Sequence, residues 1–143
     1  MKSLKLIIIL VLCATGVSAQ TFSKTGTPTS LFENEKVKVE YHFETCEKPW
    51  DGTKNEMAYL TITNKTSTPV NLTFINEKYY GTQCFGCDGE EEYKHSLQLQ
   101  PKEVLKGQCA REVNRALEIF SQKLDFPLKH GLAKMNFRLL SIK

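Results

Sequence analysis

The sequence predicts an all-β protein, built as an antiparallel sandwich or barrel of about seven short strands. Two observations predict this class. From residue 36 onward, apolar and polar residues alternate with a period of two in successive segments, as in strands with one buried face. Turn-forming residues separate these segments at roughly even spacing, and no strand–helix–strand unit is evident between them.

The first three predicted strands span residues 36–44, 57–64 and 70–78. The first strand is the clearest, because every second position is apolar: Val37, Val39, Tyr41 and Phe43. The segment that follows it contains Pro49-Trp50-Asp51-Gly52, which indicates a turn. Residues 65–69 form a short polar loop, so we predict that the second and third strands pair as a hairpin.

The remaining strands are predicted at residues 93–100, 104–108, 116–124 and 132–142. Pro101 separates the first two of these, and a short irregular or helical segment precedes the third. One face of the first is expected to carry Tyr93, His95, Leu97 and Leu99. One face of the last is expected to carry Ala133, Met135, Phe137 and Leu139.

Four cysteines follow residue 19, and a simple meander of these strands clusters them at one end of the domain: Cys46, Cys84, Cys87 and Cys109. An even number of cysteines in a small exported domain favours two disulfides, and three pairings are possible. Two alternatives remain open. A four-thiolate zinc site would use Cys84 and Cys87 as a half-site, and a redox pair would use the same two thiols.

Residues 1–19 have the three parts of a secretory signal peptide. Two lysines form a positive start, and Leu6–Leu12 is an apolar run too short to span a bilayer. Val17-Ser18-Ala19 fits a cleavage site, so we predict cleavage after Ala19 and a secreted or periplasmic protein.

The rest of the chain divides into an N-terminal leader, residues 20–35, and one sandwich domain, residues 36–143. Lipidation of Cys13 is the rival hypothesis for the N-terminus. It fits less well, because the preceding residue is Leu12 rather than a small residue. No later segment is long and apolar enough to form a transmembrane helix.

The charge balance limits the class of partner. Beyond residue 19 the chain has 17 basic and 16 acidic residues. Such a chain lacks the basic surface that binds nucleic acid, so we predict no nucleic-acid partner. The expected partner is a protein or glycan at the cell envelope, whose identity the sequence leaves open.

The candidate binding residues are aromatic. Trp50 is the only tryptophan and lies in a predicted turn, while Tyr79 and Tyr80 end a strand that reaches the same end of the domain. Exposed aromatic side chains are typical of peptide- and sugar-binding surfaces. The alternative is that Trp50 only covers the end of the core.

Motifs for catalysis and cofactor binding are missing from the sequence. It has no nucleophile elbow, no phosphate-binding glycine loop and no histidines at metal-ligand spacing, so we predict no enzyme activity, no metal and no cofactor. The acidic run at 88–92 lacks the ligand spacing of a calcium loop and is interpreted as a solvated loop. Asn64-Lys-Thr66 and Asn71-Leu-Thr73 are glycosylation sequons whose use depends on the host.

The segment Thr61–Phe74 reads TITNKTSTPVNLTF, and Leu97-Gln-Leu-Gln-Pro-Lys-Glu103 and Gly107 follow it. These motifs resemble the immunoglobulin-like modules of bacterial exported proteins. With its four cysteines, the chain is similar to small uncharacterised secreted proteins of the Bacteroidetes group. The resemblance covers about residues 36–143 and implies an immunoglobulin-like β-sandwich without catalytic residues. The Cys–Trp–Cys arrangement of immunoglobulin domains proper is not evident.

Together these features predict an exported, non-enzymatic binding or adhesion-type module that makes contact through its cysteine end and aromatic loops. One alternative is a structural or accessory subunit of a cell-envelope assembly, which would use a strand edge. The other is a thiol-redox protein that uses Cys84 and Cys87.

Overall fold

The computed structural model describes residues 24–112, 114–126 and 129–143, so the predicted signal peptide lies outside the described part. The described residues form nine strands and two short 3₁₀ turns, at Glu91–Tyr93 and Arg115–Leu117. The strands are β1 (Thr29–Glu33), β2 (Val37–Lys48), β3 (Thr53–Asn64), β4 (Val70–Tyr80), β5 (Gln83–Phe85), β6 (Lys94–Leu99), β7 (Val104–Lys106), β8 (Glu118–Lys123) and β9 (Leu132–Ile142).

These strands form two antiparallel sheets that pack together as a sandwich. In sheet A the order is β1–β2–β3, and both β7 and β8 pair with the other edge of β3. In sheet B, β4 lies at the centre, with β9 along one edge and β5 and β6 along the other. The predicted all-β sandwich is confirmed. It has two strands more than predicted, because β1 lies in the expected leader and β5 in an expected loop.

The core lies between the sheets and follows the alternation seen in the sequence. Sheet A contributes apolar residues at every second position of β2 and β3, and sheet B does the same from β4. Phe74 of β4 stacks on Phe137 of β9 with 4.6 Å between ring centroids. The largest contributors include Tyr41, Leu60, Ile62, Leu72, Phe74, Leu99 and Leu117. Full burial of each such side chain stabilises the fold by about 1.5–3 kcal/mol.

The predicted buried face of β9 is found at Met135, Phe137 and Leu139, and only its first position differs. The pairing of β9 with β4 is irregular between Tyr79 and Tyr80. There Leu132 is buried, whereas Ala133 is exposed. An extra residue in one strand shifts the alternation by one position, and a period-two pattern cannot anticipate such a shift.

The predicted meander is wrong. β3 does not pair with β4, nor β6 with β7, because in both places the chain crosses from one sheet to the other. The two crossings, through residues 65–69 and 100–103, touch each other: the Lys102 backbone N–H donates to the Thr66 carbonyl at 3.1 Å. Alternation identifies the buried face of a strand but not its partner, so it cannot distinguish a hairpin from a crossing.

Asn64, at the end of β3, joins the two crossings through its fully buried side chain. Its amide nitrogen donates to the carbonyls of Thr68 and Gln100, both at 2.8 Å. Its amide oxygen accepts from the backbone N–H of Thr66 at 2.9 Å and from the hydroxyl of the same residue at 2.8 Å. These four hydrogen bonds use all donors and acceptors of the amide, so Asn64 of the first sequon is not accessible to glycosylation in the folded chain. Asn71 of the second sequon is exposed.

Both disulfides lie at the opposite end of the sandwich from Asn64. They join Cys46 to Cys109 and Cys84 to Cys87. The predicted cysteine cluster is therefore found, although crossings rather than a meander produce it. β4 starts beside the end of β3, so its last residues, which pair with β5, reach the end where β2 turns into β3. The paired sulfurs favour the disulfide hypothesis over a zinc site of four thiolates.

The two disulfides differ in how much they constrain the unfolded chain. Cys46–Cys109 links residues 63 apart, and loop-closure entropy assigns such a link about 4 kcal/mol. Cys84–Cys87 links residues only 3 apart, which corresponds to about 2 kcal/mol. The first disulfide is thus the main covalent support of the fold.

Replacing Asn64 with alanine should destabilise the fold by about 3 kcal/mol, because it leaves buried polar partners without a hydrogen bond. The matched control is Asn71→Ala, which removes an exposed amide from the neighbouring strand and should change stability by about 0.5 kcal/mol or less. Urea unfolding at neutral pH measures both values. Equal effects of the two substitutions would contradict the proposed role of Asn64.

Candidate functional site

The inner face of β4 changes character along the strand. Leu72 and Phe74 belong to the core, but the next inward positions hold Asn76, Lys78 and Tyr80. Within the described residues β8 pairs only with β3, so its other edge faces these side chains. Polar side chains of sheet B thus meet a strand edge of sheet A at this side of the sandwich.

Two of the three polar residues bond to the backbone at or next to β8. The amide of Asn76 donates to the carbonyl of Ala116 at 2.9 Å, and the hydroxyl of Tyr80 donates to the carbonyl of Phe120. These bonds satisfy carbonyl groups that a neighbouring strand would otherwise pair. They hold sheet B against the edge of sheet A without adding a strand.

Lys78 lies between these two anchors, and its ammonium group sits 5.3 Å from the centroid of the Tyr93 ring. A cleft opens around Lys78, which we call the β4–β8 cleft. It has two lobes, both lined by Lys78, Tyr80 and Phe120. The first lobe has a volume of 530 Å³ and is completed by Gln83, Phe85 and His130. The second has a volume of 480 Å³ and includes Lys48, Met57, Glu92, Tyr93, His95, Arg115 and Glu118.

The charges of the cleft do not cancel. Lys48 and Glu118 form an ion pair at 3.3 Å, and their side chains are only 18% and 11% exposed. Lys78 and Arg115 form no ion pair with another described residue. Glu92 lies at the exposed rim and accepts a hydrogen bond from the Tyr93 hydroxyl, which raises the pKa of that hydroxyl. Arg115 is exposed as well. The three basic and two acidic residues of the second lobe leave one net positive charge, and Lys78 is its partly buried cation without an ion pair among the described residues.

Burial shifts the titration of three cleft residues. Desolvation lowers the pKa of the Lys78 ammonium, because a buried cation loses its hydration. Desolvation also lowers the pKa of His95, with a smaller contribution from the nearby Lys78, so the imidazole is neutral at neutral pH. The pKa of Tyr80 is raised by burial to about 12. An anion next to Lys78 would favour its charged form and oppose the desolvation.

Two polar atoms of this region are buried without a hydrogen-bond partner, namely Oδ1 of Asn76 and Oε2 of Glu118. Buried polar atoms are nearly always paired in folded proteins. Both atoms are acceptors, and of the two residues only Glu118 lines the cleft, in its second lobe.

The predicted aromatic residues do not share one surface. Tyr80 lines the cleft, whereas Tyr79 points to the outer face of sheet B, because neighbouring residues of a strand face opposite ways. There Tyr79 contacts Cys87, and Lys134 lies over its ring at 5.2 Å. Trp50 is 50% exposed in the turn between β2 and β3.

Sequence reasoning missed Lys78 and Phe120 as cleft residues and interpreted His95 only as a partly buried histidine. His95 is indeed partly buried and packs against the Phe74 ring at 5.6 Å. One signal was available: polar residues at 76 and 78 continue the inward positions of β4, where a core strand would carry apolar ones. A polar residue on a buried face often marks a site.

The loop between β5 and β6 covers the outer face of sheet B. Ile75 is fully buried beneath Gly86, whose missing side chain would lie 2.9 Å from the isoleucine. The Arg138 guanidinium fixes this loop by donating to the Gly86 carbonyl at 2.8 Å and by pairing with Glu77 at 3.0 Å. Disulfide Cys84–Cys87 closes the same loop.

In the described part of the chain, no three His, Cys, Asp or Glu side chains are grouped to hold a metal ion. In the acidic run, Glu91 pairs instead with Lys94. None of the helical segments described there has the length and apolarity to cross a membrane.

Comparison of the chain with protein-family models, with curated proteins and with solved structures returned no match. The two disulfides fit an extracellular or periplasmic protein, because such bonds persist in oxidising compartments. The chemistry of the cleft is therefore the main evidence on function.

His95 should make the protein less stable in mild acid. Its folded pKa lies below the ordinary 6.5, so the unfolded chain binds a proton first as the pH falls. The stability that neutral His95 contributes is complete above the ordinary pKa of histidine. It is lost as the pH falls through the lower pKa of His95 in the folded chain. We expect His95→Leu to lose less stability than the wild type between about pH 7 and pH 5. Urea unfolding across this range tests it, and identical pH slopes would contradict it.

Proposed function

We propose that this chain is an exported binding protein that holds an amphipathic organic anion in the β4–β8 cleft. The observation that carries the proposal is the combination of unpaired cations, Lys78 and Arg115, with aromatic walls in one cleft. A cleft cation that has no carboxylate partner among the described residues is suited to an anionic ligand. The proposal keeps the binding function expected from the sequence and moves its site from the Trp50 turn to the cleft.

The walls favour an apolar body on the ligand. Tyr80 and Phe120 line both lobes, Phe85 lines the first, and Tyr93 lines the second. Flat aromatic faces bind planar or chain-like apolar groups, and a few placed polar groups then fix the orientation. Each lobe has the volume of a small-molecule site, which is about 300–1,000 Å³. A carboxylate or sulfonate head on a flat apolar body matches this lining.

Export and the immunoglobulin-like assignment belong to the same proposal. The signal-peptide pattern before residue 20 supports export, and both disulfides fit an oxidising compartment. The Thr61–Phe74 motif and the two packed sheets support an immunoglobulin-like module. A likeness of fold says nothing of the ligand, so the cleft alone supports the ligand class.

A second candidate is a subunit that assembles through a strand edge. β9 has 11 residues and pairs only with β4 among the described strands, so one of its edges is free. Lys134 and Arg138 lie on this strand, and basic residues on an edge strand typically prevent edge pairing. We therefore rank assembly below ligand binding. Sedimentation would support the second candidate if the chain formed concentration-dependent oligomers that a proline in β9 abolished.

Binding should depend on the ligand's charge. In calorimetry with the chain from residue 20 onward, we expect 2-naphthoate to bind and its neutral analogue 2-naphthamide to bind about tenfold more weakly. A hydrogen bond to a charged group contributes about 1.5–3 kcal/mol, and about 1.4 kcal/mol corresponds to tenfold in affinity. The substitution Lys78→Met keeps the apolar stem and should abolish the difference between the two compounds.

The matched control is Lys134→Met, which removes an ammonium group from the outer face of sheet B. This variant should bind 2-naphthoate like the wild type. Two results would count against the proposal: no binding of the acid, or a preference for the acid that Lys78→Met leaves intact.

A further inference from the structure

The two disulfides occupy different environments. Cys46 is fully buried and packs with Met57 and Tyr59 in a small apolar cluster. Cys84 and Cys87 are partly exposed, in a loop on the outer face of sheet B. Exchange requires a thiolate to reach a disulfide sulfur, so access distinguishes a reactive disulfide from a structural one. Cys109 is also partly exposed, but attack on its sulfur would release a thiolate at the fully buried Cys46. Both residues of Cys84–Cys87 are partly exposed, which favours this disulfide as the reactive bond.

A hydrogen-bond donor stands next to one of its two sulfurs. The Tyr79 hydroxyl lies 3.3 Å from Cys87 Sγ. A disulfide sulfur carries no hydrogen, so the hydroxyl is the donor in this contact. The Lys134 ammonium lies 5.2 Å from the centre of the Tyr79 ring and adds positive charge near the pair. Both groups would stabilise negative charge on Cys87 Sγ as the bond breaks.

The Cys84–Cys87 disulfide is also connected to the cleft through β5. Cys84 is the middle residue of β5, and both of its neighbours, Gln83 and Phe85, line the first lobe. The Phe85 ring meets the Tyr80 ring edge-on at 5.7 Å between centroids. β5 has only three residues paired with β4, so the disulfide is a large part of what holds this wall in place.

We propose that Cys84–Cys87 is a dithiol–disulfide exchange site whose oxidation state sets the affinity of the β4–β8 cleft. The reductant is a protein or small molecule with a dithiol. Its thiolate attacks Cys84 Sγ, the Cys84–Cys87 bond breaks, and Cys87 leaves as a thiolate that accepts the Tyr79 hydrogen bond and then a proton from water. The second thiolate of the reductant attacks the mixed disulfide and releases Cys84. The reductant ends as a disulfide, and the chain ends with two thiols.

The redox coupling rests on the proposed ligand binding, whereas the exchange reaction does not. Once the bond is cut, the loop after β5 keeps its contact with Arg138, but β5 loses its covalent closure. The Phe85 wall of the cleft then becomes free to move. The reduced chain should therefore bind the anion more weakly than the oxidised chain.

The exchange is tested by graded reduction of the intact folded chain with dithiothreitol, followed by alkylation and mass spectrometry. We expect Cys84 and Cys87 to become alkylated at a reductant concentration at least tenfold below that needed for Cys46 and Cys109. Reduction of both disulfides together, or of Cys46–Cys109 first, would overturn the proposal.

A substitution isolates the role of the Tyr79 hydroxyl. Tyr79→Phe should slow the reduction of Cys84–Cys87 several-fold and leave the anion affinity of the oxidised chain unchanged, because Tyr79 lies outside the cleft. A merely structural role would not separate these two measurements. An unchanged rate of reduction would refute the assignment of Cys87 as the leaving sulfur.

The coupling is tested with 2-naphthoate and the variant Cys84→Ser/Cys87→Ser. The variant and the selectively reduced, alkylated wild type should both bind at least fivefold more weakly than the oxidised chain, and the variant should be insensitive to dithiothreitol. Equal affinities would refute the coupling while the alkylation result stands. If the oxidised chain does not bind at all, the proposed function and the coupling both fail, and alkylation alone still decides the exchange reaction.

Discussion

The buried amide of Asn64 is the contact on which the arrangement of the two sheets depends. It forms hydrogen bonds with both segments in which the chain crosses from one sheet to the other, residues 65–69 and 100–103. Because these crossings are tied together, β4 starts beside the end of β3 and runs antiparallel to it in the opposite sheet. That direction brings Asn76, Lys78 and Tyr80 to the far end, against the edge of β8.

The far end is closed in a different way. The edge of β8 is met by side chains of β4 and not by another described strand, and a cleft lies between them. A fully apolar inner face would have extended the core here. The polar residues cost stability, as the lowered pKa of Lys78 and the unpaired oxygen of Asn76 indicate. Such local costs are typical of functional sites rather than of cores.

The sequence predicted the fold class and seven of the nine described strands, because alternation reports burial directly. It did not predict pairing. The polar loop between Asn64 and Val70 has the length of a hairpin loop, and only the buried contacts of Asn64 make it a crossing. β1 was missed because its five residues do not alternate clearly, and β5 because Gly81 and Gly86 on either side of it indicate a loop.

The candidate site was predicted only in part. Tyr80 and the cysteine end were identified, since both follow from strand ends and residue type. Lys78 was missed because a lysine in a strand ordinarily indicates the wet face. The Lys78 side chain points inward because it lies at an even spacing from Leu72 and Phe74, which face the core. The edge of β8, in the other sheet, packs against the same face of β4. Tertiary contacts of that kind are not contained in a local pattern.

The position of the bound anion tests the central claim most directly. Isotope-labelled chain titrated with 2-naphthoate should give intermolecular nuclear Overhauser contacts from the naphthalene ring to Tyr80, Phe85 and Phe120, with the carboxylate next to Lys78. Contacts to the Trp50 turn or to the outer face of sheet B, with the cleft resonances unmoved, would contradict the account.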